Sequence, residues 1–229
     1  MLVACAGCAA SLTRADYTAA VGSPPVRSNR MLEDQRAEPL LAKLGERLPW
    51  AEWATSRLRE VCEPDLATSF GSPNPGTIGC ETRYTRLAGF DGDLADRLRA
   101  LDAAARDFGW LDSADSSPTA IRFYETYRGK PLGDGPLVVD ASSVPAVTYV
   151  VPQAGPGTSG CVDGDLRVSS VEQSSPWLDS RFAERPVYDP VFERANGPQL
   201  EAAARELLGR HRFVTTFTLL GQCHTKVAG

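Results

Sequence analysis

Leu94, Leu98, Leu101, Ala105 and Phe108 recur at helical spacing, while Arg97, Arg99, Asp102 and Arg106 fall on the opposite side. The pattern predicts an amphipathic helix over 92–108, with Asp91 as N-cap and Gly109 as its stop. A one-sided helix must bury its stripe against another element, so the remaining segments decide the fold class. A second helix is expected over 31–48, where Ala37, Leu40, Leu41, Leu44 and Leu48 repeat. Pro39 kinks or starts it and Pro49 ends it. A third is expected over 198–208, with Pro198 at its first position, Leu200, Ala204, Leu207 and Leu208 as its buried face, and Gly209 as its stop.

Other segments cluster β-branched and aromatic residues. Stretches 78–87 (IGCETRYTRL), 120–127 (AIRFYETY), 144–151, 166–171 and 213–220 (FVTTFTLL) read as strands. SFGSPNPGTIG and PQAGPGTSG read as loops. The order of elements suits an α+β fold, a mostly antiparallel sheet with about three helices packed on one face. Helix then aromatic strand occurs twice, and DGDL occurs at 91–94 and 163–166. This echo allows two related halves, 31–135 and 136–229, within one domain spanning 31–229.

Composition narrows the function classes. With 42% hydrophobic and 23% charged residues, a chain of 229 can bury a sizeable core. Net charge is −5 and no basic cluster stands out, so no nucleic-acid partner is expected. No run approaches the ~20 apolar residues of a membrane span.

The six cysteines are Cys5, Cys8, Cys62, Cys80, Cys161 and Cys223, and the two histidines are His211 and His224. Zinc needs four close nitrogen or sulfur ligands, and this spacing supplies no such set, so no metal and no cofactor is expected. Cysteines spread singly through loops and strand ends read as disulfides of an exported protein.

The opening stretch carries the one address signal. Leu2-Val3-Ala4-Cys5 resembles a bacterial lipobox, the end of a lipoprotein signal peptide. The resemblance covers four residues and implies that Cys5 takes a diacylglycerol and becomes the N-terminus. A signal peptide also has a charged n-region and an apolar stretch of ~7–15 residues before cleavage, which would have to lie upstream of Met1. Residues 9–30, with Pro24-Pro25 and no sustained apolar period, read as a flexible tether, so 1–30 is assigned as lipobox remnant and spacer. Cys5-Ala6-Gly7-Cys8 also has the form of a redox C-x-x-C, which would need a helix N-terminus to activate it. Lipidation removes Cys5 and leaves Cys8 on the tether, so four cysteines remain. The expected pairs are Cys62–Cys80, bracketing a Pro/Gly-rich loop, and Cys161–Cys223, stapling GPGTSGC to the end of the last strand.

No residue set specifies catalysis, and no catalytic residue is assigned. The chain has no G-x-S-x-G and neither common nucleotide-binding glycine motif. His211, between Arg210 and Arg212 at a helix exit, is expected to be exposed. Asp91-Gly92-Asp93 reads as a helix cap and Asp163-Gly164-Asp165 as a hairpin turn, in preference to calcium loops. Trp50, Trp53, Trp110 and Trp177 sit at element ends, where rings can stack on a ligand or close a core.

The reading is a disulfide-braced lipoprotein on the extracytoplasmic face of the cell membrane. It is held by a lipid on Cys5 and acts as a non-enzymatic envelope or ligand-binding module. The alternatives are a small secreted hydrolase with carboxylate or serine chemistry and a cytosolic protein with free thiols. Neither a protein partner nor a small-molecule ligand is specified.

Overall fold

The computed structural model describes residues 14–64, 77–131, 138–152, 161–173, 192–196 and 200–226. The elements run α1 (Arg14–Val21), α2 (Pro24–Arg47), β1 (Glu52–Pro64), β2 (Thr77–Phe90), α3 (Leu94–Asp107), β3 (Leu111–Asp112), α4 (Ser116–Tyr127), β4 (Val147–Val151), β5 (Cys161–Glu172), β6 (Phe192–Asn196), α5 (Leu200–Leu208) and β7 (Phe213–Lys226). All seven strands form one sheet in the order β3-β4-β5-β7-β2-β1-β6, and every pairing is antiparallel. The fold is α+β, as the sequence predicts. One sheet joins both halves of the chain: β7 lies between β5 and β2, and β6 returns to pair with β1 at the far edge.

Alternation along the strands separates two cores. On one face, Tyr84, Ala88 and Phe90 of β2, Leu166 and Val168 of β5, and Phe213, Phe217 and Leu219 of β7 meet α2, α3 and α4. The predicted stripe of α3 is buried there through Leu94, Leu98, Leu101 and Ala105. On the opposite face, Leu87, Val171 and Val214 pack against Ala204, Leu207 and Leu208 of α5, so the third expected helix covers the other side of the sheet. A third cluster, Ala20, Val21, Cys62 and Ile78, docks α1 on the first face at the cysteine end of the sheet.

Besides the helices expected on one face, of which α5 lies on the other, four expectations need correction. The tether assigned to 9–30 is helical from Arg14, and Ala20, Val21 and Val26 are buried. Proline is tolerated in the first turn of a helix, so Pro24-Pro25 starts α2 where it seemed to forbid one. Pro39 lies within the same helix.

Stretch 120–127 is helix α4, not a strand. Its Ala120 and Tyr124 fall on one helical side and are buried. Ala114 and Asp115 just before it have φ of 53° and 54°, a left-handed turn that local patterning does not announce. The Asp112 carboxylate supports that turn, accepting hydrogen bonds from the backbone N–H groups of Ser116 (2.9 Å) and Ser117 (3.0 Å).

Asp163-Gly164-Asp165 is not a hairpin turn either. It lies inside β5, where the register against β7 slips between Val162 and Asp165, a β-bulge. Finally, the cap of α3 is Asp93, whose Oδ1 accepts from the Ala95 N–H at 2.9 Å. Asp91 is used elsewhere, as described below.

Strand β1 is the long element the sequence reading missed. Its Arg57 and Arg59, half-buried on one face, alternate with Ser56, Leu58, Glu60 and Cys62 on the face of the main core. A serine and a glutamate on the inner side dilute the apolar alternation by which a strand is recognised.

Candidate functional site

The apolar contact of α2 with the sheet changes character along the helix. Ala37, Leu41, Leu44 and Leu48 occupy the C-terminal part of its buried side, but Asn29, Glu33 and Arg36 continue the same side toward the N-terminus. This polar end lies over the sheet where two glycines allow a close approach. A Cβ on Gly221 would overlap the Glu33 carboxylate and lie 2.7 Å from Thr82 Oγ1. A Cβ on Gly164, at the bulge, would lie 2.7 Å from the Leu220 carbonyl oxygen and 3.1 Å from an Arg36 guanidinium nitrogen.

The seam is cross-linked by polar contacts. Asn29 Nδ2 donates to Thr225 Oγ1 at 3.0 Å, and Arg36 donates to the Val151 carbonyl at 3.0 Å and to Glu33 at 3.4 Å. Glu33 and Glu60 are both buried, at 5% and 1% exposure. Buried carboxylates are rare and costly unless paired or hydrogen-bonded, so this seam is the most chemically loaded part of the described interior. It borders a small, partly open pocket of about 10 Å³ lined by Val26, Asn29, Glu33, Glu60, Cys80, Thr82, Cys223 and Thr225. That is close to the least space one water occupies, so the cavity takes a solvent molecule and no organic ligand.

Cys80 and Cys223 line this space. Cys62 of β1 opposes Cys80 of β2, Cys80 opposes Cys223 of β7, and Cys223 opposes Cys161 of β5. Four adjacent strands therefore place one cysteine each in a single register row. Cys62 and Cys80 are disulfide-bonded, with Cα atoms 4.1 Å apart, as the sequence reading expects. Cys223 is disulfide-bonded as well. Cys5 and Cys8 lie outside the described residues.

His211 is not the exposed group expected. Its side chain is 17% exposed. Nε2 sits 2.7 Å from Glu52 Oε2, and Nδ1 sits 3.0 Å from Asp91 Oδ2. The other Asp91 oxygen accepts the Arg212 N–H at 2.9 Å, and Arg210 donates to Glu52 at 2.6 Å. The Glu52 and Asp91 hydrogen bonds push the imidazole above its ordinary range. The Arg212 N–H and His211 hold the Asp91 carboxyl below its ordinary range, and His211 does the same for Glu52. With both ring nitrogens engaged by carboxylates, the imidazole keeps no free nitrogen for general-base work. The cluster is a clamp that ties the start of β1, the end of β2 and the start of β7 together.

The tryptophans are packing residues as placed. Trp50 meets Phe90 edge-on and carries Arg97 over its ring at 5.1 Å. Trp53 lies against Phe217 and under Arg86 at 4.9 Å. Trp110 is buried and stacks on Phe108. Trp177 lies outside the described residues. Each of the three described rings packs against a phenylalanine.

Among the described residues, no group of three histidine, cysteine or acidic side chains is placed to hold a metal ion, and no helix is long and apolar enough to cross a membrane. Comparison of the chain with protein-family models, with curated proteins and with solved structures finds no match. The function must therefore be argued from the residues themselves. Of these, the cysteine row has a sequence signal that was readable as paired cysteines. The buried Glu33 and Glu60 had none, because nothing local distinguishes them from the surface glutamates around them.

Proposed function

We propose that the chain is a lipid-anchored protein of a bacterial envelope, acylated on Cys5, whose domain acts outside the cytoplasm as a non-enzymatic envelope or ligand-binding module. The observation that carries this reading is the disulfide state of Cys62, Cys80 and Cys223, which belongs to an oxidising compartment. The lipobox-like LVAC supplies the attachment point. With α1 starting at Arg14, eight residues separate Cys5 from the first helix. A fully extended segment of that length reaches at most ~29 Å. An acyl chain on Cys5 therefore holds the domain close to the bilayer surface, with α1 and the cysteine end of the sheet nearest to it. The charged clamp at His211 and the packed tryptophans account for their residues without substrate chemistry, which supports a module that binds or braces rather than one that turns over.

The test is partitioning. Expressed with its native upstream region, the protein is expected in the membrane fraction with the added mass of a lipid, and Cys5→Ser abolishes both. Intact protein that is soluble and unmodified in its native host overturns the reading.

A further inference from the structure

We propose that the outward side of α2 near its start is a membrane-contact face, where Met31 and Leu32 enter an anionic leaflet and Arg27 meets its headgroups. The choice of a bilayer as the occupant rests on acylation of Cys5.

The first observation is what that side lacks. A helix on a protein surface turns charged residues to water. The exposed side of α3 does so with Asp96, Arg99 and Arg106, and that of α5 with Arg205 and Glu206. In α2 the exposed residues Pro25, Ser28, Met31, Leu32 and Gln35 form an uncharged strip beside Arg27. The ordinary charged pattern resumes only farther along the helix, with exposed Glu38, Lys43, Glu46 and Arg47. Met31 is 59% exposed and Leu32 45%. Among the large hydrophobic side chains exposed in the described residues, these two stand side by side. Val26, Ala37 and Leu41 of the same helix already face the protein interior, so α2 is packed on one side and apolar on the other.

The second observation is charge. The chain carries a net −5, yet residues 17–32 contain Arg27 and Arg30 and no acid. Glu33, which follows, is buried. Arg27 is exposed and donates to the Gly22 carbonyl at 2.6 Å, which sets it at the corner between α1 and α2. A guanidinium offers five N–H donors in a fork that suits phosphate oxygens.

The third observation is position. Val26, Asn29 and Glu33 line the small pocket with Cys80 and Cys223, so the strip lies over the cysteine end of the sheet, where α1 also docks. The eight residues between Cys5 and α1 reach at most ~29 Å, so a lipid on Cys5 brings this end of the domain to the bilayer. The acyl chains supply the anchoring, and the strip decides which side of the domain faces the lipid.

Vesicle binding tests this. The full chain carrying Cys5→Ser, which has no acylation site, is titrated with vesicles of phosphatidylglycerol and phosphatidylcholine and sedimented. It is expected to sediment with them, less at ~1 M than at ~0.1 M salt, and less with phosphatidylcholine alone. Adding Met31→Ser/Leu32→Ser should weaken binding at least about tenfold, because it removes the burial of roughly half of two large side chains. Both residues are exposed, so that variant should melt as its parent does. Leu111→Ser, at a residue 66% exposed in β3, should leave binding unchanged. Absence of binding, or equal weakening by both variants, overturns the proposal. So does a dimer, seen by light scattering, that Met31→Ser/Leu32→Ser dissolves while vesicles are ignored, since the occupant is then a second copy. The result is separable from the partitioning test. A Cys5→Ser chain that binds vesicles while the native protein carries no lipid keeps the face and removes the anchor. Acylated protein whose Cys5→Ser form ignores vesicles keeps the anchor and removes the face.

Discussion

Gly89→Ala separates a structural clamp from a loose surface contact. Gly89 lies in β2, and a methyl group there would overlap His211 Cδ2 and lie 3.0 Å from His211 Cγ and 3.1 Å from Leu207 Cδ2. The imidazole cannot slide away at little cost, because Glu52 and Asp91 hold both of its nitrogens. An isolated Gly→Ala change in a strand would stabilise by roughly 0.5–1 kcal/mol through reduced backbone entropy. Forcing a methyl into a filled site typically costs ~1–3 kcal/mol. The net expectation is a loss of about 1–2 kcal/mol. His211→Ala removes the ring and opens most of the space, so in the Gly89→Ala/His211→Ala double variant only the Leu207 contact remains and most of the cost disappears. The signature is a coupling of at least about 1 kcal/mol between two residues far apart in sequence, measured as a double-mutant cycle from urea unfolding midpoints at constant m. Additive effects, within about 0.3–0.5 kcal/mol, would show that the ring moves freely and that the clamp does not hold.

The same clamp predicts a pH optimum. The raised pKa of His211 gives stability that is complete below its unfolded value near 6.5 and is lost as pH rises through the folded value. The lowered pKa values of Glu52 and Asp91 give stability present above their unfolded values and lost as pH falls through the folded ones. Thermal melts should therefore peak between about pH 4.5 and 6.5, and His211→Asn should flatten the alkaline side. Leu98→Ala in α3 should cost ~2–5 kcal/mol in chemical denaturation, since Leu98 is a buried leucine of the main core; a change within about 0.5 kcal/mol would place it at the surface. Gly164→Ala should destabilise by ~1–3 kcal/mol in the same assay, because its methyl meets the Leu220 backbone carbonyl, which cannot rotate aside as a side chain could.

Local pattern alone determined the elements with one clean period. The α3 stripe, the apolar side of α2 from Ala37 to Leu48, the α5 face and the cores of β2, β5 and β7 were legible because burial on one face imposes spacing that no distant residue has to supply. The pairing of Cys62 with Cys80 was legible for a related reason: the two lie close in sequence across one turn-rich loop.

Tertiary structure decided whatever depends on a second element. Helix α4 hides behind a left-handed turn at Ala114 and Asp115, and its Ala120 and Tyr124 find their burial only in the main core. Asp91, a plausible helix cap in sequence, is drawn instead to His211 and Arg212, 120 residues away or more. The alignment of four cysteines in one row follows from strand order and register, which place β7 between β2 and β5. The burial of Glu33 and Glu60 follows from two glycines on other strands that let α2 descend onto the sheet. Spacing along a chain records which face of an element is apolar. It carries no record of which distant strand, glycine or carboxylate that face will meet, because those contacts are made only when the sheet closes its register.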